Sequence, residues 1–209
     1  MRKIAILVVT AFLLTIAAGC AAKYQTVSVP PRIDLKEREI IGVLQFDSST
    51  KGKLAPLATR RFTESARRDQ GLVRMVHVGP RQGRPAMRDV EALRALGRHH
   101  GVQTLMVGRL EISDIRPNVN VISSLRAGSL TALVDATLAV DMIETETGAS
   151  IWSRSASVTT EVGHISVYGK KQFAFNAEDP ERAYGAMIDA LVNQVTRDFH
   201  VGWVRRPIQ

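Results

Sequence analysis

Ser48 and Lys51 have the spacing of a Ser-x-x-Lys pattern, in which a lysine amine can activate a serine hydroxyl as a nucleophile. Enzymes that use this pattern complete the site with Ser-Asp-Asn and Lys-Thr-Gly motifs, and this sequence contains neither of them. The sequence also lacks a Gly-x-Ser-x-Gly motif and the glycine-rich motifs that bind nucleotide phosphates. We therefore expect no catalytic site in this chain.

The histidines do not fall in a metal-binding pattern. They are His77, His99, His100, His164 and His200. No two of them have the His-x-x-x-His spacing that places two zinc ligands on one face of a helix. His99 and His100 lie at the end of a predicted helix, where a positive side chain interacts well with the helix dipole. We expect no metal site.

Residues 1–19 have the features of a secretory signal peptide. Arg2 and Lys3 supply a positive start, and residues 4–18 are apolar except for two threonines. This apolar segment of about 15 residues is shorter than the roughly 20 residues that a membrane-spanning helix needs. The pattern therefore predicts a segment that is cleaved off rather than a permanent transmembrane helix.

Cys20 is the only cysteine of the chain and follows the small residues Ala17, Ala18 and Gly19. This ending resembles the lipobox of bacterial lipoproteins, in which the thiol takes a diacylglyceryl group, the peptide is cut before the cysteine, and the new amine is acylated. The resemblance implies cleavage between Gly19 and Cys20, with covalent diacylglycerol and N-acyl chains on Cys20 and no other cofactor. The alternative is a plain signal peptide whose cysteine is structural or incidental.

The residue after the cysteine and the charge of the chain indicate a location and partners. In lipoproteins of enteric-type bacteria an Asp here resembles an inner-membrane retention signal, so Ala21 favours the outer membrane. The chain has 28 Lys and Arg against 20 Asp and Glu, and it stays basic without residues 1–19. A periplasmic domain is not expected to meet nucleic acid. Anionic lipid headgroups, lipopolysaccharide phosphates or acidic proteins fit this charge better.

Arginines are concentrated on the two predicted helices and the loop between them. They are Arg60, Arg61, Arg67, Arg68, Arg84, Arg88, Arg94 and Arg98. Pairs four residues apart share one face of a helix. This face either keeps the domain soluble or forms a basic contact surface, for which the guanidinium group is well suited because it binds phosphate and carboxylate in a bidentate manner.

The composition is that of one globular domain with extensions. The chain has 209 residues, of which 45% are hydrophobic and 23% charged. Residues 20–38 lack helical periodicity and contain Pro30-Pro31, so we predict a lipidated tether there. A single α/β domain is predicted for residues 39–203.

Hydrophobic periodicity predicts the elements of this domain. Strands are expected at 40–46, 72–78 and 102–110, helices at 54–69 and 87–100, a hairpin at 130–143 and 149–162, and a C-terminal helix at 179–200. Right-handed crossovers place helices on the sheet. The expected fold is an α/β sandwich with a mixed sheet of about five strands: β-α-β-α-β, the hairpin, and the closing helix.

Three segments resemble the curli-secretion-channel (CsgG-like) lipoprotein family. They are IGVLQF followed by DSST, VQTLMVGRL after GRHHG, and the hairpin VDATLAVDMIETETGASIW. The same layout is similar to the penicillin-binding-protein activator (LpoB-like) lipoproteins and the N-terminal domain of TolB-type proteins. The resemblance implies a non-enzymatic envelope protein that acts by binding a partner or by oligomerising.

Pore-forming members of the curli-channel family extend two hairpins into the outer membrane. The corresponding segments here are residues 111–143 and 150–176, and Gly163 and Gly169 interrupt the second. We therefore favour a lipoprotein anchored to the outer membrane, with its domain in the periplasm as a binding, assembly or regulatory module of an envelope complex. The alternative is an oligomeric subunit of a curli-type secretion channel, and an enzyme of unrecognised type is third.

Overall fold

The computed structural model describes residues 24–79, 90–117, 131–163, 166–168, 172–174 and 178–208. The predicted signal peptide and Cys20 lie outside these residues. The described chain forms two units. The larger one covers residues 31–200, and the smaller one combines the residues up to 30 with those from 201 onward.

A mixed sheet forms the centre of the larger unit. Its strands are β2 (Ile40–Val43), β3 (Asp47–Ser48), β4 (Arg74–His77), β5 (Thr104–Pro117), β6 (Thr131–Glu144) and β7 (Ser150–Gly163). The order is β4-β2-β5-β6-β7, with β3 also pairing β5. β2 is parallel to β4 and β5, whereas β5, β6 and β7 are antiparallel to their neighbours. The predicted mixed α/β sheet is confirmed, and the short β3 makes it six-stranded.

Strict alternation of side chains sets the register of the long strands. In β6, Val134, Ala136, Leu138, Val140 and Met142 are all buried, and the residues between them are partly exposed. A shift of one residue would turn this apolar set towards solvent, so burial of one face specifies the register. The predicted hairpin between β6 and β7 is confirmed, with a turn at 145–149.

Three helices cover the sheet: α1 (Leu54–Arg67), α2 (Val90–His100) and α3 (Pro180–Val195). The Asp179 side chain accepts a hydrogen bond from Arg182 N and caps α3, and Pro180 occupies the first turn. After α3, residues Thr196–Phe199 form a 3-10 turn, so the helix predicted to reach 200 ends earlier.

The helices lie on opposite faces of the sheet. Met106 and Leu110 of β5 belong to the cluster that includes α1 and α3 residues. Leu105 and Val107 belong to a second cluster with Leu93 of α2. Because neighbouring residues of a strand point to opposite faces, α1 and α3 cover one face and α2 covers the other.

The larger unit, residues 31–200, does not coincide with the domain predicted for residues 39–203, which stays a prediction. Residues Leu35–Arg38 form a 3-10 turn whose Leu35 is buried in the larger unit. One apolar side chain and the hydrogen bonds of Gln70 therefore hold this part of the predicted tether in the larger unit. Periodicity could not reveal a segment that is held by a single anchor.

The termini of the described chain form a two-stranded antiparallel ribbon. β1 (Tyr24–Val29), within the predicted tether, pairs with β10 (Gly202–Pro207) from Tyr24↔Pro207 to Val29↔Gly202. Both strands were missed from the sequence, since each is short and only partly alternating. A further small antiparallel pair consists of β8 (Ser166–Tyr168) and β9 (Gln172–Ala174).

Gly97→Ala is expected to destabilise the protein by about 1–3 kcal/mol, because overpacking forces neighbours to move. A Cβ at Gly97 would lie 2.7 Å from Thr145 Oγ1 and 2.8 Å from the backbone oxygen of Val102. Gly185→Ala in α3 is the matched control, because a Cβ there meets nothing within 4 Å. That variant should gain roughly 0.5–1 kcal/mol from helix propensity. Urea unfolding measures both, and equal stabilisation of the two variants would contradict the packing described at Gly97.

Candidate functional site

Arg60 and Arg61 of the predicted basic surface are engaged in ion pairs between α1 and α3. The Arg60 guanidinium contacts the Glu181 carboxylate. Arg61 lies 3.7 Å from Glu181 and 3.6 Å from Asp189. These two arginines therefore link helices rather than present free positive charge, and such partly exposed pairs contribute little stability.

The other predicted arginines are divided between two faces of the protein. Arg67 and Arg68 are exposed at the end of α1. Arg94 of α2, on the opposite face of the sheet, lies 3.0 Å from the Glu146 carboxylate, and Arg98 is also on α2. Arg84 and Arg88 lie outside the described residues. The members that the structure describes thus do not form one continuous basic surface.

Ser65, His200 and Asp69 form an arrangement that the sequence analysis did not find. His200 Nε2 lies 3.1 Å from Ser65 Oγ, and His200 Nδ1 lies 3.1 Å from Asp69 Oδ2. A serine, a histidine and a carboxylate in this order are the groups of nucleophilic acyl-transfer sites. Ser65 and Asp69 are four residues apart, whereas His200 lies more than 130 residues further along the chain, and no spacing rule could have placed it beside them.

The surroundings of Ser65 favour a structural role for this arrangement. Ser65 is only 3% exposed, and its hydroxyl also lies 2.8 Å from Thr196 Oγ1. Its backbone lies within α1, where N–H groups are used by the helix and cannot stabilise an oxyanion. We therefore interpret Ser65, Thr196 and His200 as a hydrogen-bonded tie between α1 and the segment after α3.

Ser48, the serine of the Ser-x-x-Lys pattern, is the last residue of β3, and its side chain bonds to the turn that follows. Its Oγ accepts a hydrogen bond from Thr50 N at 3.2 Å and lies 3.1 Å from Thr50 Oγ1. The turn lines an open cavity of about 690 Å³ together with Arg109 and Glu111 of β5. These contacts are those of a local serine turn.

The Asp198 carboxylate accepts hydrogen bonds from two side chains of β7 and lies near Arg32. Its Oδ2 accepts hydrogen bonds from Arg154 at 2.7 Å and from Trp152 Nε1 at 3.2 Å, and Arg32 lies 3.9 Å from its Oδ1. Burial acts to raise the pKa of Asp198, but the hydrogen bonds from Arg154 and Trp152 and the charges of Arg154 and Arg32 outweigh it. The pKa is therefore lowered. Trp152 itself belongs to the core.

Replacing Asp198 with Asn is expected to cost about 1–3 kcal/mol at neutral pH, because buried donors lose a charged acceptor. A carboxylate whose pKa is lowered by folding stabilises the protein above its unfolded pKa, near 4, and this contribution disappears as the pH falls through the lower folded value. The difference between the wild type and Asp198→Asn should therefore shrink in acid. Urea unfolding across this range tests it, with Asp114→Asn, an exposed residue paired with Arg116, as the control. A difference that does not change with pH would contradict the assignment.

One face of the ribbon formed by β1 and β10 is uncovered. Directly opposed residues share a face, so the pairs Ser28↔Trp203 and Thr26↔Arg205 lie on the same side as Tyr24. All five residues are exposed, Tyr24 to 61% and Trp203 to 69%. We call Tyr24, Thr26, Ser28, Trp203 and Arg205 the aromatic face. Its aromatic side chains lie at the two ends, with an arginine between them.

In the described part of the chain, no helix combines the length and the apolar character that crossing a membrane requires. The same residues contain no cluster of three His, Cys, Asp or Glu that could hold a metal ion.

The fold places the protein among mixed α/β sandwiches. No protein-family model and no curated protein matches the sequence. Among solved structures, the chain is similar to the PelC dodecamer of Paraburkholderia phytofirmans, with 13% identity, a TM-score of 0.47, and 85% of this chain and 97% of that chain covered. The chain is also similar to the LpoB C-terminal domain of Escherichia coli, with 18% identity and a TM-score of 0.38, and 58% of this chain and 83% of that chain are covered. For lipoprotein GNA1162 of Neisseria meningitidis, the identity is 13% and the TM-score 0.39, and 76% of this chain and 98% of that chain are covered. These likenesses concern the fold and carry no conclusion about function.

Proposed function

We propose that this chain is an envelope lipoprotein, held on the outer membrane by acyl chains on Cys20, whose domain acts in the periplasm without catalysis. The observation that carries the proposal is the position of the only cysteine, directly after small residues at the end of a signal-type segment. A diacylglyceryl thioether and an acylated amine supply two or three chains. Each buried methylene contributes about 0.8 kcal/mol, so this number of chains anchors stably where one would not.

The domain is proposed to act as a binding, assembly or regulatory module. In the described part of the main sheet, β7 lies at the edge and is 14 residues long. A long edge strand presents unpaired backbone groups that can bind another chain by extending the sheet. The proposed partner is a second envelope protein or further copies of the chain, with no nucleic acid involved.

Fractionation of cells that produce the wild type or Cys20→Ser tests the anchor. The wild type is expected in the outer-membrane fraction and Cys20→Ser in a soluble or uncleaved form, because no thiol remains to take the lipid. Ala21→Ser is the matched control and should stay with the membrane. Retention of Cys20→Ser as an integral membrane protein, with a solubilised wild type that runs as a large ring, would contradict the proposal and favour the channel subunit.

A further inference from the structure

The aromatic face has a composition unlike that of the rest of the ribbon. Arg205 and Trp203 each face a small polar residue of β1, and Tyr24 faces Pro207. Tyr24, Arg205 and Trp203 are all exposed. Residues 24–29 and 202–207 contain Arg205 and Arg206 and no acidic residue. On the other face, Val27 and Val29 are half-buried, and Val204 is 40% exposed. The two aromatic side chains and Arg205 therefore share one exposed face, and the valines of the ribbon lie on the other.

This combination fits the headgroup layer of a membrane. Tyr and Trp concentrate at membrane–water interfaces, because an apolar ring and a polar group are satisfied there at once. Arginine binds phosphate in a bidentate manner, and each basic residue near an anionic membrane surface contributes about 1 kcal/mol. A two-stranded ribbon is also only marginally stable in water, so a surface that covers one face would stabilise it.

The chain connects this ribbon closely to the proposed anchor. Tyr24 follows Cys20 after Ala21, Ala22 and Lys23. A fully extended chain spans at most about 3.6 Å per residue, so Tyr24 lies within roughly 14 Å of Cys20. Acyl chains on Cys20 would therefore keep the aromatic face at a high local concentration beside the headgroups.

We propose that the aromatic face docks on the anionic headgroup layer of the membrane that holds the acyl chains of Cys20. This inference rests on the proposed lipid anchor. The anchor attaches the protein to the membrane. The ribbon then contacts the headgroup layer through Tyr24, Trp203 and Arg205. Because β10 pairs with β1, which follows the anchor, both strands of the ribbon would lie beside the headgroups.

The single cysteine allows the docking to be tested apart from natural lipidation. The mature chain, residues 20–209, is produced without lipid and coupled through the Cys20 thiol to a maleimide lipid. The vesicles contain phosphatidylcholine and phosphatidylglycerol, with lipids brominated near the headgroup as quenchers. Trp203 is exposed and Trp152 is buried, and the chain has no other tryptophan. The expected result is quenching of Trp203 emission and a loss of its accessibility to acrylamide.

Substitutions show which side chains dock on the membrane, and a change of lipid composition shows whether anionic headgroups are needed. Arg205→Gln is expected to lower the ratio of docked to undocked ribbon about fivefold, which corresponds to about 1 kcal/mol. Arg67→Gln, an exposed arginine on α1, should change nothing. Trp203→Ser should remove the quenched emission, whereas Leu72→Ser, which replaces an exposed apolar residue elsewhere, should not. Vesicles of phosphatidylcholine alone should weaken docking of the unmodified protein.

Two results would overturn the inference. If Trp203 is equally accessible to acrylamide in the free and the coupled protein, the ribbon does not dock. If its emission shifts with protein concentration in the absence of vesicles, a second copy of the chain occupies the aromatic face instead. Because the coupling supplies the anchor chemically, either result leaves lipidation of Cys20 to be decided by the fractionation experiment.

Discussion

A Gln70→Ala variant is expected to unfold with a free energy about 3–5 kcal/mol lower than that of the wild type. Gln70 is buried at the end of α1. Its Oε1 accepts a hydrogen bond from Leu35 N at 2.8 Å, and its Nε2 donates to the carbonyl oxygens of Ile33 at 2.9 Å and Phe199 at 2.7 Å. One side chain thus satisfies three backbone groups from both ends of the larger unit. Alanine would leave all three without this partner, and each buried unsatisfied group costs about 1–3 kcal/mol.

Gln70→Glu and Gln103→Ala make this prediction specific. A carboxylate at position 70 can still accept from Leu35 N but cannot donate to the two carbonyl groups, so Gln70→Glu should also be strongly destabilised. Gln103 is exposed and donates to Glu39, and its replacement by alanine should change stability by less than about 0.5 kcal/mol. Urea unfolding followed by circular dichroism measures all three variants. A loss of under about 1 kcal/mol for Gln70→Ala would contradict the account of how residues 31–38 are held.

Phe62→Ala is expected to cost about 3–5 kcal/mol, because it creates a cavity in the main core. Phe62 is fully buried on α1. Its ring lies 5.2 Å from that of Phe46 and 6.4 Å from that of Phe199, which in turn lies 4.6 Å from the Trp152 ring. The four rings form a continuous row between α1, the sheet and the segment after α3, and such aromatic contacts add stability beyond the area they bury.

Phe62→Leu is the control for the loss of volume, and it should cost roughly 1.5 kcal/mol or less. The measurement is the same urea titration, together with the near-ultraviolet signal of Trp152, which the alanine variant should alter. Equal losses for the alanine and leucine variants would mean that the row of rings does not depend on filling this position.

The larger fold could be predicted because its elements follow simple periodicities. Alternation in β6 and the helical spacing of Ala58, Phe62 and Ala66 each specify one buried face, and these faces are buried as expected. The segments that were missed have no such signal. Leu35 is a single anchor, and β1 and β10 pair residues from opposite ends of the chain.

The candidate sites also differ in whether local sequence or tertiary structure determines them. The position of Cys20 can be interpreted from local spacing alone, and its modification stays a prediction. The arginines share helical spacing, but partners such as Glu181 and Glu146 come from distant segments and decide which of them carry free charge. The contact between Ser65 and His200 and the shared face of Tyr24 and Trp203 depend on tertiary structure and strand register. Neither is encoded in any short pattern.

Mass spectrometry of the N-terminal peptide of the membrane-extracted protein is the direct test of the lipid anchor. We expect the mature chain to begin at Cys20, and this residue to carry a diacylglyceryl thioether and an acylated amine. A peptide that begins elsewhere, or a Cys20 with a free thiol, would contradict it.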